Sequence, residues 1–394
     1  MWTLRYILIN VTYFAVYSGL HAYAAVFLAD KGFSSTWIGI TLALANILSV
    51  ILQPLIAGII DKQGKLTNRN TAMMSTLFLI AGAVILLAFK TNFILIFIVF
   101  ALMYMVQMVY QPVLIAMFFE YEKAGCNIFF GLARGLGSAG FAVSSFFIGS
   151  LVKERGVNVL MIFNIVVLSI AFVVLWFFRK PATAVVIEEK SEGKAHNNIF
   201  EFIKTYPMFM LFVAGAVCFF FAHNAINDFL INIITPLGGN EESMGYAVSL
   251  AAFLELPTMA FINIIMKKIS AKKLLILSGF FFGIKTLIML LAVNMTMVYI
   301  SQAFQMLAYA VFIPVSAYYV NRIMEKYDQV KGQAYVNCAI TLGGVFSNLV
   351  CGRILDLKGP GFMLVLSMIV TSVGFVAAFF ALNREKRAQN AQKT

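Results

Sequence analysis

The chain has 394 residues, 61% of them hydrophobic and 12% charged, with a formal charge of +12. A soluble globular domain carries about 25% charged residues, and a mean hydropathy of +0.90 leaves too little polar surface for one. The basic excess does not mark a nucleic-acid binder, because it falls in short polar segments between long apolar runs.

Twelve such runs lie near 4–28, 37–60, 71–89, 93–118, 129–152, 158–178, 208–232, 245–266, 274–293, 297–320, 335–355 and 361–382. Each can cross a hydrocarbon core of about 30 Å. With the N-terminus in the cytoplasm, 21 of the 29 Lys and Arg fall on the cytoplasmic side, six on the other, and two, Arg134 and Lys285, inside spans. That asymmetry places both termini in the cytoplasm. The first run follows a single Arg and is too long for a signal-peptide core, so it reads as span one. The four Cys show no CxxC spacing and read as small apolar fillers.

In span one, Asn10, Tyr13, Tyr17 and His21 recur at three and four residues, which places them on one helical face. Between spans two and three comes Gly58-Ile-Ile-Asp61-Lys62-Gln63-Gly64-Lys65, with Arg69 further on. Asp61 there sits at a helix end among basic neighbours, and Gly64 permits a tight turn. Span four carries Tyr104, Gln107 and Gln111 on one face. Arg134, near the start of span five, cannot deprotonate and offers a planar fork of five donors. That fork suits a carboxylate, a phosphate or vicinal hydroxyls, and the competing reading is a helix-end side chain snorkelling to water.

The longest polar stretch, 179–198, divides the chain into six spans and six spans. Ile199–Tyr206 then alternates polar and apolar residues up to Pro207 and reads as a short interfacial helix. Span seven holds His223, Asn224, Asn227 and Asp228, the last placed where water can hydrate it; span ten holds Gln302, Gln305 and Tyr309. Glu255 in span eight and Lys285 in span nine are each surrounded by hydrocarbon. A charge at mid-bilayer costs about 2.5–3.5 kcal/mol, so such residues mark solute or ion pathways. Glu255 is the expected proton carrier. Lys285 is its expected partner, and the competing reading is a static pair that only locks two helices. The halves also repeat: Gly131-Leu-Ala133-Arg134 opens span five and Gly332-Gln-Ala334-Tyr335 opens span eleven, about 200 residues later.

The loop after span two resembles that of the major facilitator superfamily, whose G-x-x-x-D-x-x-G motif is followed by basic residues. Within it, the chain is most similar to the lactose permease and oligosaccharide:proton symporter group and its phenylpropionate-permease-like relatives. Phe130-Gly131-Leu-Ala133-Arg134 looks like that group's F-G-x-A-R, whose Arg binds sugar hydroxyls. The resemblance makes Arg134 a substrate ligand and sets Phe141 where the permease stacks a Trp on the sugar. It brings Glu255 near the sugar- and proton-linked Glu, and Lys285 to the place of a buried Arg. It also implies that spans one, four, seven and ten line the cavity. Other permease positions differ: Ala116, Met306, Tyr309, Phe312, Phe221 and Asn224 stand where the group has charged or imidazole side chains. This argues against galactoside specificity.

The sequence therefore predicts an all-α membrane protein of twelve helices in the major facilitator fold. Its expected parts are six-helix domains at 1–178 and 199–394 and a cytoplasmic loop at 179–198. The expected function is proton-coupled symport of a sugar, glycoside or nucleoside by a monomer in the plasma membrane. Uptake of a small aromatic or other organic acid, drug efflux by proton antiport, and a non-transporting solute sensor are the alternatives. Glu255 and Lys285 are the expected coupling residues. The expected substrate ligands are Arg134, Phe141, Tyr17, His21, Gln107, Gln111, His223, Asn224, Asn227, Gln305 and Tyr309; the expected gating motif is Gly58, Asp61, Gly64 and Arg69. With no Walker A sequence, metal-ligand cluster or nucleophile elbow, no ATP, metal or enzymatic step is expected, only the proton gradient.

Overall fold

The computed structural model describes residues 2–61, 66–89, 91–180, 199–325 and 328–391, with no side-chain description for 61, 199 and 385–391. The twelve apolar runs form helices. Span one is Trp2–Tyr17, a π-helical turn at Ser18–Ala22, and Ala24–Asp30, bent by 48°. Spans two to six are Ser35–Asp61, Asn68–Ala88, Phe93–Lys123, Phe130–Arg155 and Asn158–Phe177. The short helix Ile199–Thr205 precedes span seven, Pro207–Asp228, which breaks at Phe229 and resumes as Leu230–Ile234. Spans eight and nine are Glu241–Lys268 and Ala271–Leu290. Span ten is Met295–Ala303 and Tyr309–Ile323, joined by a 3-10 turn at Phe304–Met306. Spans eleven and twelve run together as Gln329–Ala391, turning at Gly359, whose φ of 77° suits a residue without a Cβ.

Local chemistry sets several starts. The side chains of Thr67, Asn92 and Asn294 accept from the backbone N–H three residues on, each at 3.1 Å, and so cap spans three, four and ten. Large apolar side chains such as Ile98, Phe147, Val166, Val173 and Phe261 point outward, as a lipid-facing surface requires.

Contacts group the chain into two units. Unit 1 is Met1–Glu189 with Gly239–Phe253, and unit 2 is Lys190–Gly238 with Leu254–Thr394. The grouping differs from a division at 178 and 199 mainly in span eight, whose first half packs with unit 1 and whose second half packs with unit 2. In unit 1, the phenols of Tyr6, Tyr13 and Tyr121 donate to the carbonyls of Leu114, Gln107 and Phe178, tying spans one and four to their neighbours. In unit 2, Phe219 stacks on Phe282 at 5.4 Å, and Phe212 on Phe312 at 5.8 Å. Spans seven and twelve approach closely at Gly215 and Gly374. A Cβ on either would lie 2.8 Å from the other's carbonyl oxygen, the small-residue contact that lets membrane helices pack without a hydrophobic drive.

Candidate functional site

Unit 1 collects an aromatic and cationic group around spans one, four and five. Arg134 lies in the second turn of span five, and its Nη1 donates to Ser138 Oγ at 2.7 Å, one helical turn on. Its guanidinium also sits 4.2 Å from the centre of the Phe14 ring. A hydroxyl and a ring inside its unit thus hold Arg134, which is partly exposed. Phe141, two turns further, approaches the Tyr17 ring at 6.0 Å. His21 stacks on Tyr17 at 4.2 Å and lies 3.6 Å from the Tyr104 ring centre. It occupies the π-helical turn of span one, an irregularity that recurs at functional sites. Both of its ring nitrogens are buried without a hydrogen-bond partner.

The two glutamines of span four differ. Gln107 is fully buried, and its Nε2 donates to the Tyr13 carbonyl at 3.1 Å. This contact ties spans one and four, while Gln107 Oε1 is buried without a hydrogen-bond partner. Gln111 is partly exposed.

Unit 2 holds the charged chain. Lys285 is completely buried in span nine, and its Nζ donates to Gln305 Oε1 at 2.5 Å. Gln305 Nε2 in turn donates to Glu255 Oε1 at 2.5 Å. The expected Glu255–Lys285 pair is therefore joined through an amide whose dipole points the right way at both ends. Gln305 can do this because the 3-10 turn Phe304–Met306 interrupts span ten. Ser301 Oγ donates to the Lys285 carbonyl at 2.8 Å and Ser278 Oγ to the Ala308 carbonyl at 2.7 Å, which fixes the broken segment against span nine.

His223 lies beside this chain. It stacks on Tyr309 at 4.9 Å, its Nε2 is 3.0 Å from Asn227 Nδ2, and its Nδ1 is buried without a partner. Asn224 instead turns back to the Phe220 carbonyl at 2.8 Å within its own helix.

The expected gating motif divides. Arg69 Nε and Nη2 donate to the carbonyls of Leu175 and Trp176, both at 2.8 Å, and Arg5 donates to the Phe177 carbonyl at 2.8 Å. Two arginines thus cap the C-terminal end of span six, where the helix dipole favours cations. Gly58 is exposed with nothing packed against it. The Asp61 side chain and Gly64 lie outside the described residues.

A further polar seam in unit 1 was not legible in the sequence. Glu242, at the start of span eight, takes Lys153 at 2.7 Å and the Tyr246 hydroxyl at 2.7 Å. Beside it, a Cβ on Gly149 would lie 2.5 Å from the Glu241 carbonyl oxygen. The signal available in sequence was a glycine at both 149 and 245, too common in spans to stand out.

The model of the MFS_1 like family matches residues 2–366. The chain belongs to this family. A curated relative, the uncharacterized transporter YwbF of Bacillus subtilis (strain 168), is 23% identical over 262 residues, 65% of this chain. That match spans 63% of the relative's own length. Among solved structures, the nucleoside transporter NupG superposes with a TM-score of 0.77 at 13% identity, covering 97% of this chain and 98% of that one. The POT family transporter PepTSo gives 0.74 at 11% identity, covering 98% of each. At such identities these likenesses establish the fold: an all-α membrane protein of the major facilitator type.

Proposed function

We propose that this chain is a secondary active transporter, a proton-coupled symporter of a small polar solute working by alternating access. The observation that carries the proposal is the chain Glu255–Gln305–Lys285. With Glu255 ionised, ammonium, amide and carboxylate align, and each charge is compensated across the amide. A proton on Glu255 removes the negative end. The buried Lys285 charge then loses its compensation, and the Gln305 N–H loses its strongest acceptor. Lys285 and Gln305 become available to a solute, so the proton and the solute meet at one amide.

The solute class we favour is a sugar, glycoside or nucleoside. Such molecules offer hydroxyls to Gln305 and Asn227 and a ring face to the partly exposed Tyr309. One structural relative is named a nucleoside transporter, which supports a nucleoside within the class. A small organic acid is the second reading. It is favoured by Arg134, which spends one of its five donors on Ser138 and keeps the rest for an anion. The setting is the plasma membrane, with both termini cytoplasmic and the protein acting as a monomer.

The test is uptake of labelled nucleosides, sugars and benzoate into proteoliposomes under an imposed inward proton gradient. Accumulation of one solute, collapsing with a protonophore, is the expected result. Uptake indifferent to the gradient contradicts coupling, and saturable binding without flux makes the protein a sensor.

A further inference from the structure

We propose that the groove between spans nine and twelve of unit 2 binds an anionic phospholipid, with an acyl chain in the groove and the phosphate among the basic residues at its end. The groove is about 290 Å³ and is lined by Lys273, Ile276, Leu277, Phe280 and Phe375. The two spans meet where the rings of Phe280 and Phe375 lie 6.2 Å apart. There the Phe375 ring would also lie 3.4 Å from a Cβ on Gly279. Leu277 and Phe280 are 43% and 48% exposed, an apolar surface that lipid covers once the chain is in a bilayer.

One end of the groove is charged. Lys273 belongs to the lining and is exposed. It closes the run Lys267-Lys268-Ile269-Ser270-Ala271-Lys272-Lys273, which holds four cations and no acid. As an odd and an even crossing, spans nine and twelve run in opposite directions. Counted from the contact of Phe280 with Phe375 at about 1.5 Å per residue, Lys273 lies about 10 Å along span nine, and Arg384 about 13 Å along span twelve towards the same membrane face. Among the described residues, no carboxylate forms an ion pair with Lys267, Lys268, Lys273 or Arg384; the ion pairs are those of Lys31, Lys153 and Lys180. Span nine begins at this level, and the side chain of Ser270, its N-cap, makes no capping hydrogen bond. The positive end of that helix adds to the lysines.

Charge and shape together select the occupant. A soluble anion would use the basic end and leave the groove empty. A zwitterionic lipid would fill the groove but bring a cation of its own to a cluster already positive. An anionic phospholipid uses both parts. The distance of about 10 Å from Lys273 to Phe280 also fits inside one leaflet of a hydrocarbon core about 30 Å thick. A larger groove of unit 1, about 600 Å³, gives the contrast: the charged residue of its lining is Glu122, which would repel the same headgroup.

The test titrates the purified full-length protein, in detergent, with phosphatidylglycerol or with phosphatidylcholine of the same acyl chains. Bound lipid is counted by native mass spectrometry, and stability is followed by thermal unfolding. Saturable binding of phosphatidylglycerol in preference to phosphatidylcholine is expected, with a rise in unfolding temperature. Lys273→Gln should weaken that binding about fivefold. Leu277→Trp, which fills the groove and leaves every charge in place, should abolish the preference. Lys123→Gln, at an exposed lysine elsewhere, should change nothing. Neither should Glu255→Gln, so a failure of the proton-coupling proposal would be seen separately. The proposal is overturned by equal binding of the two lipids, by a loss in Lys123→Gln as large as in Lys273→Gln, by a preference that survives in Leu277→Trp, or by equal stabilisation with inorganic phosphate alone. If Leu277→Trp fails to fold, the wild-type titration and the comparison of Lys273→Gln with Lys123→Gln decide the matter.

Discussion

The two units solve the problem of polar groups in lipid differently. Unit 1 ties its spans by tyrosine hydroxyls donating to main-chain carbonyls, and keeps its cation, Arg134, against a ring and a serine. Unit 2 packs phenylalanine on phenylalanine and threads one charged chain, Glu255–Gln305–Lys285, through that apolar setting. Removing one of these tyrosine hydroxyls leaves a neutral carbonyl behind. Removing one end of the Glu255–Gln305–Lys285 chain leaves the other charge orphaned, which costs far more. In the function proposed above, the coupling chain and the amide that meets the solute both lie in unit 2, and Arg134 is the contribution of unit 1.

The strongest way to break this contrast is Lys285→Ala. It strands the Glu255 end of the chain, and we expect loss of about 3–5 kcal/mol of stability as well as of coupled uptake. Removing both charges with Glu255→Gln and Lys285→Ala should restore folding but not coupling, as measured by membrane expression and unfolding temperature. A double variant as unstable as Lys285→Ala would mean that the two ends do not interact.

Gln305→Leu separates the amide from the charges. It should cost less stability than Lys285→Ala while removing the dependence of uptake on the proton gradient. Intact coupling in this variant would mean that Glu255 and Lys285 communicate without the amide.

On the unit 1 side, Arg134→Lys keeps the charge but loses the planar fork and most of the contact with Phe14. Solute affinity should fall about tenfold, with expression unchanged, as a binding titration would show. Unaltered affinity would leave Arg134 a structural tie between spans one and five. The smallest effect is expected for Arg69→Ala. Losing one of two caps on span six should cost about 0.5–1 kcal/mol in unfolding measurements and leave solute affinity alone.

Hydropathy made the twelve spans and the polar divider legible, because each apolar run is long and holds at most one charged residue. It could not show where spans break. Runs 4–28, 208–232 and 297–320 read as continuous, yet they are interrupted at Ser18–Ala22, Phe229 and Phe304–Met306. The breaks bear His21, Asp228 and Gln305. A π-turn or a 3-10 turn needs no special residue when neighbouring spans satisfy the freed groups, so it leaves no mark in composition. Glu255 and Lys285 stood out because a charge in hydrocarbon needs a reason. Gln305 stood out only as one member of a stripe, and its bridging role depends on the break. Gln107 belongs to an equally regular stripe and is buried with its Nε2 on the Tyr13 carbonyl, a contact that spacing alone does not predict.

The most direct test of the coupling account separates movement from accumulation. Wild type and Glu255→Gln are reconstituted in parallel and loaded with unlabelled solute, and labelled solute is followed first in exchange and then under an imposed proton gradient. The account predicts that Glu255→Gln, with a neutral side chain that keeps its hydrogen-bonding shape, exchanges solute but never accumulates it. Gradient-driven accumulation by Glu255→Gln at the wild-type level would contradict the account.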